Sequence, residues 1–212
     1  MNKRTILTLV GIAVLVTGGF ILIRSNRGPE ARLKAENKKV EAYASSVERR
    51  VDSAVITLDQ HGVYQLKNGF AIFPGQKISD GSITLDGPIV TSFIESTDPK
   101  KSPRLDALVH TAVDEGDGVP ADYVTLFQDR GDIALEKSHI FIGHKALVQS
   151  IRVLPPEAGT DQEYQVNIVY LVRNAGEDYA VPPTSRKEVT LMVIDGHFSE
   201  TVATTIRDVE FE

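Results

Sequence analysis

The chain contains no cysteine and no tryptophan, and only two methionines. Without cysteine there are no disulfides, no thiol nucleophile, no cysteine-ligated metal and no lipid attached at a processed cysteine. Without tryptophan, and with so little methionine, any core has to be assembled from Val, Ile, Leu, Phe and Tyr. Phosphate-binding glycine loops of the G-x-x-x-x-G-K-Ser/Thr and G-x-G-x-x-G kinds are missing, and so is the G-x-S-x-G nucleophile turn. No N-x-Ser/Thr glycosylation site occurs either. Concentrated basic surface is lacking beyond the first quarter of the chain. Residues 1–52 hold ten Lys/Arg against five Asp/Glu, whereas residues 53–212 hold 13 against 24, a net charge of −11. An acidic domain of this kind argues against nucleic-acid binding.

What is present begins with an apolar run. Thr5 to Ile23 is 19 residues without a charge, bounded by Lys3 and Arg4 on one side and Arg24 and Arg27 on the other. As a helix it reaches about 28 Å, close to the roughly 30 Å hydrocarbon core of a bilayer. The run is longer than the apolar region of a secretory signal, and bulky Phe20, Ile21 and Leu22 occupy the place where a small-x-small cleavage site would fall. It reads as an uncleaved single-pass anchor; a cleaved signal is the competing reading. Six cations, from Arg24 to Lys39, follow the run, and by count they favour a cytoplasmic domain. Against that, the short tail carries two cations of its own, and long domains translocate largely regardless of charge. The expectation is a tail inside, with the domain extracytoplasmic at the cell membrane.

Three segments follow from this: a cytoplasmic tail and anchor at 1–27, a juxtamembrane helix at 28–54, and a soluble domain at 55–212. Gly28-Pro29 breaks the first helix and starts the second. Leu33, Asn37, Val40, Ala44, Val47, Val51 and Ala54 form a seam with alternating steps of four and three. Such a seam suits a parallel coiled coil. However, Glu36 would face Glu41 of a partner helix, so weak self-association through 30–54 ranks below packing on the chain's own domain.

The domain itself reads as α+β, a mostly antiparallel sheet with two short helices. Val55–Asp59, Val63–Lys67 and Phe70–Phe73 are β-prone runs separated by His61-Gly62 and Asn68-Gly69. Ser82–Leu85 and Pro88–Ile94 suggest a further hairpin, with Pro88 confining its strand to an edge or a strand start. Leu105, Leu108, Val109, Ala112 and Val113 recur at helical spacing and predict a helix stopped by Gly116. Pro120 would open a second one carrying Tyr123, Leu126 and Phe127. Strands are expected again at His139–Gly143, Ala146–Leu154 and Tyr164–Arg173, followed by a hairpin about Asp195-Gly196 joining Lys187–Ile194 to His197–Ile206.

Chemistry is thinly signalled. Of the five histidines, His61, His110, His139, His144 and His197, only His139 and His144 are near neighbours, and their spacing puts them on opposite faces of one strand unless Gly143 bends it. The acidic run Asp114-Glu115-Gly116-Asp117-Gly118 lacks the ligand spacing of a calcium loop and reads as a polar turn. Arg130-Gly131-Asp132 reads as a charged turn. No metal, no cofactor and no assignable catalytic residue emerges, so an enzyme is possible but unsupported. The 13-residue connection Asn174–Arg186 is longer than hairpin loops usually are. Its exposed Glu177, Asp178 and Tyr179 are the candidate binding residues. The expectation is a membrane-anchored accessory or assembly protein that works through a protein partner in the cell envelope. The alternative is a tethered small-ligand-binding or hydrolytic domain with a pocket between sheet and helices.

Overall fold

The structure, a computed structural model, describes residues 45–58, 62–74, 75, 78–94, 104–156, 163–174, 176–199 and 207–208. The apolar run 5–23, the greater part of the 30–54 seam, His61 and residues 200–206 lie outside the described residues. By contacts the chain divides into two compact units, Met1–Ser46 and Val47–Glu212. Among the described residues no helix is long and apolar enough to cross a membrane.

The expected α+β class is overturned. Strands hold 65% of the described residues, and one helix, α1 at 45–51, is found among them. The strands are β1 (Val55–Leu58), β2 (Gly62–Gln65), β3 (Phe70–Phe73), β4 (Gly81–Ile94), β5 (Arg104–Asp114), β6 (Ala121–Asp129), β7 (Ala134–His144), β8 (Leu147–Leu154), β9 (Tyr164–Val172), β10 (Ser185–Ile194), β11 (His197–Ser199) and β12 (Arg207–Asp208). Seven of them form one sheet in the order β2-β1-β7-β6-β5-β4-β3. The rest form a second sheet, β11-β10-β9-β8, with β12 also on β10. The two predicted helices are β5 and β6.

The physical reason lies in β5. Its odd residues Leu105, Ala107, Val109 and Val113 enter one core, while Leu108 enters another. A strand buried on both faces loses the apolar–polar alternation that marks a strand. Its apolar residues then fall by chance at spacings a helix would show. Asp106 and His110, buried at 0% and 7% exposure, made the stretch look amphipathic although both are interior. β6 behaves alike, with Val124 and Leu126 in the second core and Phe127 in the first.

The first core fills the concave side of the seven-stranded sheet, which is nearly closed and barrel-like. Phe73, Ile83, Leu105, Val109 and Phe127 meet Val47, Val51 and Ala54 there. All three residues of the described part of the seam are therefore fully buried in the domain. Gly69 N donates to Asp52 O at 2.7 Å, and Arg50 pairs with Asp129 at 2.7 Å, which fixes α1 over that end of the sheet. Asn68-Gly69 turns the chain with positive φ at both residues (55° and 74°), the geometry of a type I′ turn. Beyond the single bridge Lys67↔Phe70, however, its flanking runs part: β2 pairs with β1, and β3 with β4. The Asp195-Gly196 turn does join a hairpin, β10 to β11. Pro88 sits inside β4, at the irregularity between Asp86 and Val90 and past the last pairing with β3. Among the described residues no strand pairs with that part of β4 on the β3 side, so a missing N–H is tolerated there.

The second core lies between the sheets. Leu108, Val124, Leu126 and Ile142 face Val166, Ile168, Val189, Leu191 and Val193. Each such side chain fully removed from water contributes roughly 1.5–3 kcal/mol. One polar cluster crosses the layer. Arg104 donates to Asp106 through Nε (2.7 Å) and Nη2 (2.8 Å), and through both terminal nitrogens to Glu163. Tyr164 donates its phenol proton to Asp106 at 2.8 Å, and Gly196 N donates to Glu163 at 2.9 Å. Burial alone would disfavour the guanidinium charge, but the two carboxylates outweigh it and hold Arg104 above its ordinary range. Burial first, then the Asp106 charge, pushes the Tyr164 phenol far up.

Candidate functional site

At the far end of β5 the sheet opens into a groove. Its floor and walls are set by three local devices. The first is the β5–β6 turn. Asp114 Oδ1 accepts the N–H groups of Gly116 (2.8 Å), Asp117 (3.1 Å) and Gly118 (3.1 Å), and Asp117 Oδ1 accepts that of Val119 at 3.0 Å. Gly116 has φ 96°, and a Cβ there would lie 2.1 Å from Ser79 O, so glycine is required. Gly116 O in turn accepts the N–H groups of Ile78 and Ser79. The run 114–118 is thus a self-capped turn that presents Glu115 and Asp117 along the groove.

The second device is a bulge in β7. Register against β6 shifts between Asp122↔Gly143 and Tyr123↔Phe141. This irregularity, beside Gly143, brings the rings of Phe141 and His144 to 5.3 Å. Phe141 also meets Tyr123 at 5.5 Å, and Tyr123 meets His139 at 5.2 Å. His139 and His144 therefore belong to one line of rings, separated by Tyr123 and Phe141. Among the described residues no group of three or more His, Asp or Glu is placed to hold a metal ion.

The third device is the loop after β9. Arg173 Nε donates to Val181 O at 2.6 Å and its Nη1 to Lys145 O at 2.8 Å, and its guanidinium stands 5.8 Å from the Tyr179 ring. This folds the loop back so that Tyr179 meets His144 at 6.3 Å. Of the three loop residues expected to bind, Tyr179 lines the groove. Glu177 instead accepts the backbone N–H (2.9 Å) and side-chain amide (2.8 Å) of Asn174, and those bonds lower its carboxyl below the usual range. Asp178 Oδ1 accepts the Ala180 N–H at 2.9 Å. Both carboxylates shape the loop.

The groove encloses about 570 Å³ between Val113, Glu115, Asp117, Tyr123, Phe141, His144 and Tyr179, among others. Phe141 is 49% exposed and Tyr179 43%. Tyr123 and Phe141 escaped sequence reasoning: the first was assigned to a helix, and the second alternates out of a strand whose bulge no residue pattern announces. The signal available was the cluster Tyr123, His139, Phe141 and His144 on neighbouring strands, with Tyr123 opposite Phe141, had 121–129 been read as β.

Two further histidine pairs are built nearby. Glu136 Oε1 lies 2.6 Å from His139 Nδ1, while its Oε2 accepts the Thr57 N–H at 2.7 Å. The neighbouring Ser138 hydroxyl accepts the Phe198 N–H at 3.2 Å. Behind the groove, His110 Nε2 lies 2.8 Å from Asp122 Oδ1, and Asp122 Oδ2 accepts the Ala146 N–H at 2.7 Å. This buried pair ties β5 and β6 to the β7–β8 corner and so holds His144 in place. His197 is exposed in its turn, with Nδ1 3.0 Å from Asp195 O. Arg130-Gly131-Asp132 forms the β6–β7 turn, with Gly131 N bonded to Asp129.

Comparison with protein-family models, with curated proteins and with solved structures yields no match.

Proposed function

We propose that this chain is a membrane-tethered binding module of the cell envelope, an accessory or assembly protein whose all-β domain engages a protein partner through the groove. The apolar run 5–23 supports the tether, and the short cationic tail before it supports the orientation. The observation that carries the binding role is the line of rings Tyr123, Phe141, His144 and Tyr179, half-buried at Tyr123 and exposed at the other three. Large aromatic side chains left in contact with one another at the surface, next to half-buried acids, are the composition of a recognition site. The expected pocket between sheet and helices has no counterpart among the described residues, because α1 is consumed by the first core. A ligand-binding or hydrolytic reading rests instead on the Glu136–His139 pair, a carboxylate-oriented imidazole beside Thr57 and Lys137.

The test is affinity capture from detergent-solubilised membranes with the full chain and with Phe141→Ser. A stoichiometric partner retained by the wild type and lost by the variant is expected. No stoichiometric partner, or equal capture by both, overturns the reading.

A further inference from the structure

We propose that β8 is a dimerisation edge: the β8 of a second copy of this chain pairs with it antiparallel, so that the second sheet continues from one copy into the other. The first observation is an open edge. The terminal strands of the two sheets are β2, β3 and β11, of four, four and three residues, and β8, of eight. β8 pairs with β9 on one side, and among the described residues no strand pairs with it on the other. Its inward side chains show the consequence. Val148, Ile151 and Val153 stand opposite Tyr170, Ile168 and Val166 of β9 and pack on the second core with them. The β9 residues are buried, at 8%, 0% and 0% exposure, whereas those of β8 are only half-buried. Leu147, on the outer face, is 54% exposed. β8 contains neither lysine nor proline, two residues that commonly keep an edge from pairing.

The second observation is that β8 matches itself. Its register against β9 shifts between Val148 and Ser150, so Gln149 and Ser150 together fill one position of the ladder. The eight residues therefore occupy seven positions: Leu147, Val148, Gln149-Ser150, Ile151, Arg152, Val153 and Leu154. In type this order is the same from either end: Leu, Val, polar, Ile, polar, Val, Leu. A two-fold axis through Ile151, perpendicular to the sheet, sets Leu147 opposite Leu154 of the second copy, Val148 opposite Val153, and Gln149-Ser150 opposite Arg152. Residues paired across strands must share a face, and these do. Val148, Ile151 and Val153 all lie on the second-core face, and Leu147 and Leu154 on the other. Apolar side chains thus meet apolar ones. The Arg152 guanidinium meets the Gln149 amide oxygen and the Ser150 hydroxyl, both able to accept its hydrogen bonds. Two residues facing one is the ordinary arrangement of a β-bulge, so the irregularity fits the pairing. An interface of this kind is closed by two copies.

Because the chain has no cysteine, introduced thiols report on this register alone. Opposed residues of antiparallel strands have Cα atoms about 4.5–5.5 Å apart, within disulfide reach. Leu147 and Leu154 of one copy lie about 20 Å apart along the strand. The full-length chain in detergent should sediment as a dimer. Leu147→Cys chains mixed with Leu154→Cys chains should give a disulfide-linked dimer under mild oxidation, and neither variant should do so alone. Leu147→Arg/Leu154→Arg sets like charges opposite one another on the outer face. It should weaken the dimer about tenfold and leave the urea midpoint unchanged. The proposal is overturned if the unsubstituted chain stays monomeric up to roughly 100 μM. It is overturned equally if either cysteine variant cross-links alone as readily as the mixture, or if the double arginine variant dimerises as tightly as the unsubstituted chain. A dimer whose cysteine mixture fails to cross-link would also overturn it, by placing the contact elsewhere, as on the 30–54 helix.

Discussion

The two ends of β5 resolve the same physical problem in opposite ways. At Arg104 a dense set of charged and polar groups is closed on itself: one guanidinium, two carboxylates, a phenol and a backbone N–H satisfy one another between the sheets. About 33 Å away along the strand, beyond Asp114, apolar rings are left in water and acids stand along their edge. Leaving Phe141 half exposed forgoes the stabilisation its burial would bring, so that end of the strand is not arranged for stability. A cluster in which every group has a partner holds the fold together. A cluster with exposed rings is open to something else.

The contrast can be broken most forcefully at the closed end. Arg104→Ala leaves Asp106, whose side chain is 1% exposed, without its main cation, and should cost about 3–5 kcal/mol, read as a lower urea midpoint. Little change would mean that water enters and replaces the guanidinium, making the two ends less different than they look.

Tyr164→Phe is gentler. It removes one hydrogen bond to a buried carboxylate and should cost about 1.5–3 kcal/mol at neutral pH. Its sharper signature is alkaline. The Tyr164 phenol is raised in the folded state, so its contribution is fully present below the unfolded tyrosine value near 10 and is lost as pH climbs above it. The stability gap between wild type and variant should therefore narrow from pH 9 to pH 11.5. A constant gap would refute the buried, neutral phenol. Tyr170, also raised by burial, is common to both proteins and cancels.

A smaller effect of opposite sign is expected midway along β5. Thr111 is 2% exposed, and its hydroxyl has no hydrogen-bond partner among the described residues. Thr111→Val keeps the β-branched shape and should stabilise by about 1 kcal/mol, visible as a raised Tm. The smallest effect on stability belongs to the open end: Phe141→Ser should change the unfolding free energy from urea titration by less than about 1 kcal/mol while abolishing partner capture. A large loss of stability there would show the ring to be part of the fold.

Much of the β framework was legible from local signals. Tyr164–Ile168 alternates because the start of β9 is apolar toward the second core and polar on its other face, at Gln165 and Asn167. Asp195-Gly196 announces its hairpin because few residues adopt positive φ twice in succession. The site was much less legible. Tyr179 was reachable, since a long loop between two confident strands draws attention. Glu177 and Asp178 looked alike in sequence, and only the fold shows both engaged within the loop.

The residues alone settled the absence of thiol chemistry, the split between a basic first quarter and an acidic remainder, the apolar run 5–23, and those turns whose backbone only Asn, Asp or Gly adopts readily. These are properties of composition and of two or three neighbouring residues. The tertiary structure decided that β5 and β6 are strands and that rings from β6, β7 and the loop after β9 share one groove. Burial on both faces erases the two-residue period by which a strand is recognised, and a bulge moves a side chain across the sheet without leaving a mark in the sequence.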